Sequence, residues 1–316
     1  MTASYALALS AAHEAAATQH YPQGTLYVVA TPIGNLADIS LRALHVLALV
    51  DAIACEDTRH TQTLLRAYGI HKAAAQLIAV HQHNEVEASQ TIVQLLQQGR
   101  RIAYASDAGT PGVSDPGARL VAVVRAAGLA AVPLPGASSI TAALSVAGIV
   151  PAGAQDTGFV FAGFLPTKAA ERDAAVQELA GESHSVVLLE APHRIEALAR
   201  ALAVLGPRPV TVARELTKQF EEIATLSAAD ISGWLAGGPQ RTRGEFVLVV
   251  HPAVVSIDSG QDQHILKLLL AELPLKTAVK LACEITGTPR NGLYEMALAM
   301  KKGETGGVLM ASREIT

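Results

Sequence analysis

The chain has 316 residues, enough for about two domains of ~150 residues, and half of them are apolar, so a large core is within reach. Its 24 Lys+Arg against 28 Asp+Glu give a net charge of −4, which excludes nucleic-acid binding by bulk charge but leaves room for a local basic face. Two distant cysteines, Cys55 and Cys283, exclude a disulfide framework and fit a reduced, cytoplasmic protein.

The start, residues 1–24, is alanine-rich and lacks Lys and Arg, so it is a poor signal peptide and reads as a mobile extension. Strand-like and helix-like runs then alternate. The strand Leu26 to Ala30 is followed by a helix from Leu41 to Val50, with Ser40 as N-cap. Asp51 to Cys55 precedes a helix at Thr58 to Ala67, and Leu77 to His81 precedes one at Glu85 to Gln98. A strand at 101–106 leads to a helix at 118–127, and Ala131 to Leu134 leads to one at Ser138 to Ala147. This alternation predicts an α/β fold with a mainly parallel sheet over residues 25–150. Residues Ala126 to Gln155 carry no charge, but Pro133, Pro135, Gly136, Gly148 and Pro151 break the run and argue against a membrane span.

Pro151 to Thr157 reads as a linker to a second α/β domain over 158–252. Its expected strands are Phe159 to Ala162, Ser185 to Leu189, Val210 to Ala213 and Glu245 to Val250, with helices near 168–180, 193–205 and 227–236. Beyond a polar linker at Ser256 to Gln263, three short helices at 264–271, 275–286 and 290–300 make a module over 262–303. From His264 to Gly303 it carries six Lys/Arg against three Glu, which suits a solvated cap or a nucleic-acid contact alike. Residues from Lys301 on, with 304–316 as the tail proper, read as loose chain.

Three loops rich in glycine and proline follow first-domain strands: Thr31 to Leu36, Ser106 to Gly117, and Pro135 to Ser139. In an open parallel sheet the carboxyl strand ends form the ligand crevice, so the three together predict a cleft. The last loop ends at a helix N-terminus, which favours a carboxylate or phosphate. Neither a P-loop nor a Gly-x-Gly-x-x-Gly dinucleotide motif is present. Loops rich in backbone and poor in basic side chains suit an adenosyl group with an amino-acid tail. Glu56-Asp57-Thr58-Arg59 is either a helix cap or a polar catalytic cluster. His81, His83 and Glu85 share a side if their strand persists, but no fourth metal ligand lies nearby, so a hydrogen-bonding cleft edge is the preferred reading and no metal is expected. Arg194, Arg214 and Lys218 are either ion-paired helix starts or a second wall facing an anionic substrate.

These motifs, with Gly163-Phe164-Leu165-Pro166 and Arg214 to Lys218, resemble the bacterial small-subunit ribosomal RNA methyltransferase I family of the tetrapyrrole-methylase superfamily over roughly residues 25–300. Ala191 stands where that family usually has serine. The resemblance implies S-adenosylmethionine in a cleft between two α/β domains, and 2′-O-methylation of a cytidine in the decoding region of 16S ribosomal RNA. A cytoplasmic homodimer acting on RNA, within the 30S particle, is implied too. By analogy, Pro32, Asp107, Ala108, Gly109, Val113, Ser138 and Ser139 are the cofactor positions. Asp57, His83 or Glu85 is the expected proton acceptor. Asn35 and Arg59 are expected to orient ribose or phosphate, and Arg194, Arg214 and Lys218 to hold the RNA backbone. Two alternatives share the cleft: a small-molecule methylase of the tetrapyrrole kind, and a non-catalytic adenosyl-ligand sensor or RNA-binding module. The Thr-Pro-Ile-Gly-Asn-Leu loop, in place of glycine-proline-glycine, and the basic helical module count against the former.

Overall fold

The computed structural model describes residues 5–81, 84–113, 117–149, 158–253, 259–286, 288 and 290–308, the side chains of 6, 259–261 and 301–308 excepted. It divides into a unit Met1–Ala253 and a unit Val254–Thr316.

The larger unit opens with helix α1 (Ala6–Ala16) and strand β1 (Thr25–Val29). Then follow α2 (Leu41–Leu49), β2 (Ala52–Cys55), α3 (Thr58–Ala67), β3 (Leu77–Ala79), α4 (Glu85–Gln97), β4 (Ile102–Ala105), α5 (Gly117–Ala126), β5 (Ala130–Leu134) and α6 (Ser139–Val146). The five strands form one parallel sheet in the order β3-β2-β4-β1-β5. Successive side chains along a strand point to opposite faces. Tyr27, Val29, Ala103 and Ala105 therefore pack under α2, while Leu26, Ile102 and Tyr104 pack under α4 and α5. The result is a three-layer lobe with every strand tip at one end, as the alternation predicts. Ser40 caps α2 by accepting from the Ala43 N–H at 3.1 Å.

The N-terminal stretch differs from its expectation. Instead of a mobile extension, α1 lies on α2 with Ala12 and Ala16 buried and Leu9 partly buried in the same core. Alanine, the best helix former, lets two helices approach closely without a bulky stripe to announce it.

The second lobe comprises β6 (Phe159–Gly163), α7 (Ala169–Leu179), β7 (Ser185–Glu190), α8 (Ile195–Leu202), β8 (Pro209–Arg214), β9 (Glu222–Ser227), α9 (Ile231–Ala236) and β10 (Phe246–Val250). Its order is β6-β7-β10-β8-β9, and only β6-β7 is parallel. β9 is the element the sequence reading omits. Val186, Leu188, Val212 and Leu248 face α8 and α9, and Val187, Ala213, Val247 and Val249 face α6. Helix α6 thus belongs to the first lobe by chain order and to the second by packing.

Arg208 holds the back of this lobe. It is 9% exposed and donates to the carbonyls of His251 (2.6 Å), Leu179 (2.5 Å), Ala180 (3.3 Å) and Glu182 (3.0 Å). Arg208→Met keeps much of the volume but strands those acceptors. Charge-assisted bonds contribute ~1.5–3 kcal/mol each with strong overlap, so a loss of about 3 kcal/mol is expected. A lower urea midpoint at unchanged slope is the check.

The smaller unit has α10 (Ser259–Glu272), α11 (Leu275–Thr286) and α12 (Arg290–Val308). Leu266, Val279, Ala282, Leu293 and Ala297 form its core, and the buried Thr288 hydroxyl donates to Asp262 at 2.7 Å. α10 begins inside the expected polar linker, and α12 runs on through Val308 where loose chain is expected. The Pro151 to Thr157 linker lies outside the described residues, as do the first part of the 256–263 linker and residues 309–316. Among the described residues, no helix is long and apolar enough to cross a membrane.

Candidate active site

The loops beyond β1, β4 and β5 are tied to one another. Thr31 and Gly109 exchange backbone hydrogen bonds at 2.9 and 3.1 Å, and the Thr31 hydroxyl donates to the Ser106 carbonyl. The Thr110 hydroxyl donates to the Ala137 carbonyl at 2.9 Å. Gly109 sits at φ 84°, and a Cβ there would approach Ile33 Cγ2 to 3.3 Å; one on Gly136 would meet Ala30 Cβ at 2.8 Å. Glycine is required at both positions for the loops to lie this close.

Beyond β2, the Asp107 N–H donates to Glu56 Oε1 at 3.1 Å, and the Asp57 N–H to Asp107 Oδ1 at 3.3 Å. These four strand tips face the carboxyl end of β7 and the start of β10. A cavity of about 470 Å³ opens between them. The first lobe contributes Ile33, Glu56, Ala108, Gly109, Val113, Ser138 and Ser139 to it, and the second Leu189 to Pro192, Leu216 and Glu245 to Val247. Three glutamates, Glu56, Glu190 and Glu245, line it, the Glu190 side chain being itself fully buried, with no lysine or arginine among the described lining residues.

Five of the seven expected cofactor positions, Ala108, Gly109, Val113, Ser138 and Ser139, lie on this wall. Asp107 adjoins it through Glu56; Pro32 is buried beside Ile33 and does not line it. The expected catalytic residues are placed less favourably. His83 lies outside the described residues. Glu85 is buried at the start of α4, paired with Arg119 at 3.0 Å, and is not a lining residue. Asp57 is spent on its own helix. Its Oδ1 accepts from the Arg59 N–H at 2.8 Å, and its Oδ2 from Arg59 Nη2 at 2.9 Å. Hydrogen bonds from Arg59 hold the Asp57 carboxyl down to about 2. That makes it a weak proton acceptor, contrary to the expected role. A carbon-detected titration should place its midpoint near 2, and Arg59→Ala should return it to the ordinary aspartate range. Because the native carboxyl is the more acidic, the pair's stabilising contribution is present at neutral pH and vanishes as pH falls through about 2. Asn35 Oδ1 accepts from the Ala37 N–H at 3.0 Å, capping a short turn.

The expected second wall is also rearranged. Arg194 is committed to Glu190 at 3.1 Å and to the Leu165 carbonyl. Arg214, 6% exposed, donates to the Phe220 and Arg243 carbonyls and pairs with Glu222 at 3.6 Å. Both guanidiniums are already engaged by protein carbonyls and carboxylates, so the RNA-holding role read from the sequence does not suit them. Lys218 keeps partial exposure between Glu215 (2.8 Å) and Glu245 (3.0 Å). Burial works to lower its pKa, but the two glutamates outweigh burial and raise it. The segment carries strain: Glu215 and Thr217 adopt φ 52° and 66°, and the Asn35 N–H donates to the Thr217 hydroxyl across the lobes. A β-branched residue at positive φ is a rare state that tends to mark functional sites. The stretch from Glu190 to Arg194, read from the sequence as part of a second wall, does reach the cavity, but through Glu190, Ala191 and Pro192 rather than through Arg194.

Among the described residues, no group of three His, Cys, Asp or Glu is placed to hold a metal.

Comparison with known proteins agrees with this architecture. Residues 25–232 match the family model described as Tetrapyrrole (Corrin/Porphyrin) Methylases, and residues 256–301 match one described as RsmI C-terminal HTH domain. The solved structure of a cobalt precorrin-4 methyltransferase superposes with a TM-score of 0.54 at 17% identity, over 74% of this chain and 98% of its own, which supports the fold alone. Proteins named "Ribosomal RNA small subunit methyltransferase I" are far closer in sequence. The one from Neisseria meningitidis serogroup B is 46% identical over 88% of this chain and 94% of its own. That of Escherichia coli O157:H7 is 45% identical over 87% and 95%. The chain belongs to the ribosomal RNA small subunit methyltransferase I family, within the tetrapyrrole methylases.

Proposed function

We propose that this methyltransferase uses S-adenosylmethionine to methylate the ribose 2′-oxygen of a cytidine in the decoding region of 16S ribosomal RNA. The observation that carries the reading is the cavity: cross-bonded glycine-rich loops on one side, and a lining that includes Glu56 and Glu245 and, among the described residues, no cation. Such a site suits a ligand bearing positive charge on sulfur and on an α-amino group. Ala108, Gly109 and Val113 would hold the donor by backbone and close packing. Ser138 and Ser139 sit where the α6 N-terminus favours its carboxylate, and Asp107 would brace the loop.

When bound, the donor supplies an electrophilic methyl group that already carries the charge the reaction needs. The protein's share is to align the acceptor hydroxyl in line with that methyl, to exclude water and to take up a proton. At the cavity edge, Arg59 is 90% exposed three residues beyond the lining Glu56, and Lys218 pairs with the lining Glu245. These two are the cations we assign to RNA phosphates near the reaction centre. The exposed Lys276, Lys280 and Arg290 of the helical unit are further cations we assign to RNA phosphates. The reading includes a cytoplasmic homodimer working on the 30S particle.

The test is to incubate the protein with methyl-labelled donor and, separately, with 30S subunits lacking the modification, naked 16S RNA and porphyrin precursors. Label recovered as 2′-O-methylcytidine supports the reading. Label on the porphyrin, or donor binding without transfer to any acceptor, rejects it.

A further inference from the structure

We infer that Phe164 stacks on the base of the target nucleotide, an inference that rests on the proposed methyl transfer to ribose and extends it to how the nucleotide is held. Phe164 follows the tip of β6, and it and Phe246 are the aromatic side chains among the described residues lining the cavity. Phe246 is 2% exposed and belongs to the core, whereas Phe164 is 52% exposed. Single exposed apolar side chains are ordinary on protein surfaces. Here, however, the backbone is built to present one. The pairing of β6 with β7 shifts register between Phe161 and Gly163, with one extra residue on β6, and Gly163 takes φ 65°. Bulges of this kind re-aim side chains. On either side of Phe164, Gly163 and Leu165 are buried. The Leu165 carbonyl accepts from Arg194, which is paired in turn with Glu190 of β7. The ring therefore stands on a pinned loop, open to solvent on one side and to the cavity on the other.

The 2′-oxygen and the base are carried by adjacent ribose carbons. For that oxygen to meet a methyl group held by the first lobe's loops, the nucleotide must leave its stacked neighbours and bring its base to the same cavity. Unstacking is costly unless another flat surface replaces the one lost. Exposed aromatic side chains supply such a surface to single-stranded RNA. The wall that carries Phe164 also carries the apolar Leu189, Ala191 and Pro192, and it faces the wall formed by Ala108, Gly109 and Val113. Donor and ring would thus take the nucleotide from two sides. A ring offers a π-face and no hydrogen-bond pattern, so Phe164 holds the base without selecting its identity.

Phe164→Leu keeps an apolar side chain but removes the π-face, and Phe164→Tyr keeps both. The test compares them with wild type in single-turnover methylation of 30S subunits lacking the modification, at saturating donor and subunit. Phe164→Leu should lower that rate ~10–100-fold, the worth of one stacked base. The subunit concentration giving half the maximal rate should move less than about threefold, because phosphate contacts carry most of the affinity. Donor affinity by calorimetry should stay within about twofold, and Phe164→Tyr should restore the rate to within about threefold of wild type. A wild-type rate in Phe164→Leu overturns the inference. So does equal impairment of the Leu and Tyr variants, which would make the position one of loop shape. Donor affinity falling in step with the rate also overturns it, since the ring would then serve the donor's adenine. A wild type that fails to methylate ribose removes the reading beneath and this inference with it, whereas an active wild type with an equally active Leu variant removes this inference alone.

Discussion

Gly109→Val is expected to abolish measurable donor binding. Gly109 stands at φ 84°, a region L-residues avoid and β-branched ones most of all, so the backbone strain alone is ~1–3 kcal/mol. The new Cβ would press on Ile33 Cγ2 at 3.3 Å, and both residues line the cavity. Relieving either problem breaks the Thr31–Gly109 backbone pair that keeps two loops together. With every 1.4 kcal/mol worth tenfold, strain plus lost closure predicts at least ~100-fold weaker binding in a calorimetric titration. Gly128→Ala is the control. It too has positive φ (74°), but no atom would crowd its Cβ and it lies beyond α5, away from the cavity. It should lower the melting temperature and leave donor affinity intact. Equal donor affinities for Gly109→Val and wild type would remove the loops from the binding site.

The second large effect is expected from reversing charge on the helical unit. Lys276, Lys280 and Arg290 are exposed, on α11 and the first turn of α12, and among the described residues only Lys280 forms an ion pair (Glu284, 3.9 Å). Each phosphate contact adds ~0.7–0.9 to the slope of log affinity against log salt. The triple variant K276E/K280E/R290E should therefore flatten that slope by about 2 and reduce methylation of 30S subunits at least ~100-fold at physiological salt. Donor affinity should not change, because that site lies in the larger unit. An unaltered salt slope would return these residues to the role of a solvated cap.

Apart from α1, the first lobe was legible almost to the residue, because its buried parallel strands are short apolar runs punctuated by glycine and proline. The cradle loops were legible for the same reason: spaced glycines and prolines after a strand have few other uses. β9 was not. Its Glu222-Ile223-Ala224-Thr225-Leu226-Ser227 lies at the sheet edge, half exposed, behind a run of glutamates that resembles a solvated helix start. Arg194 and Arg214 look in sequence like cations awaiting phosphate; only the fold reveals that backbone carbonyls and carboxylates occupy them. Asp57 looks like a base until Arg59 is seen wrapped around it. Local pattern reports periodicity and turn chemistry well. It cannot report which distant acceptor a long side chain reaches.

The order of the parallel sheet has a consequence for biogenesis. β1 is the first strand to leave the ribosome, yet its neighbours are β4 on one side and β5 on the other, Leu26 pairing with Ile102 and Ala131. The centre of the lobe therefore stays open until translation has passed residue 134, with the apolar Leu-Tyr-Val-Val segment waiting throughout. Non-local pairing of this kind closes slowly. A nascent chain stalled before β5 would present an unpaired sticky edge, and a need for chaperone shielding during synthesis follows from topology rather than from marginal stability of the finished enzyme.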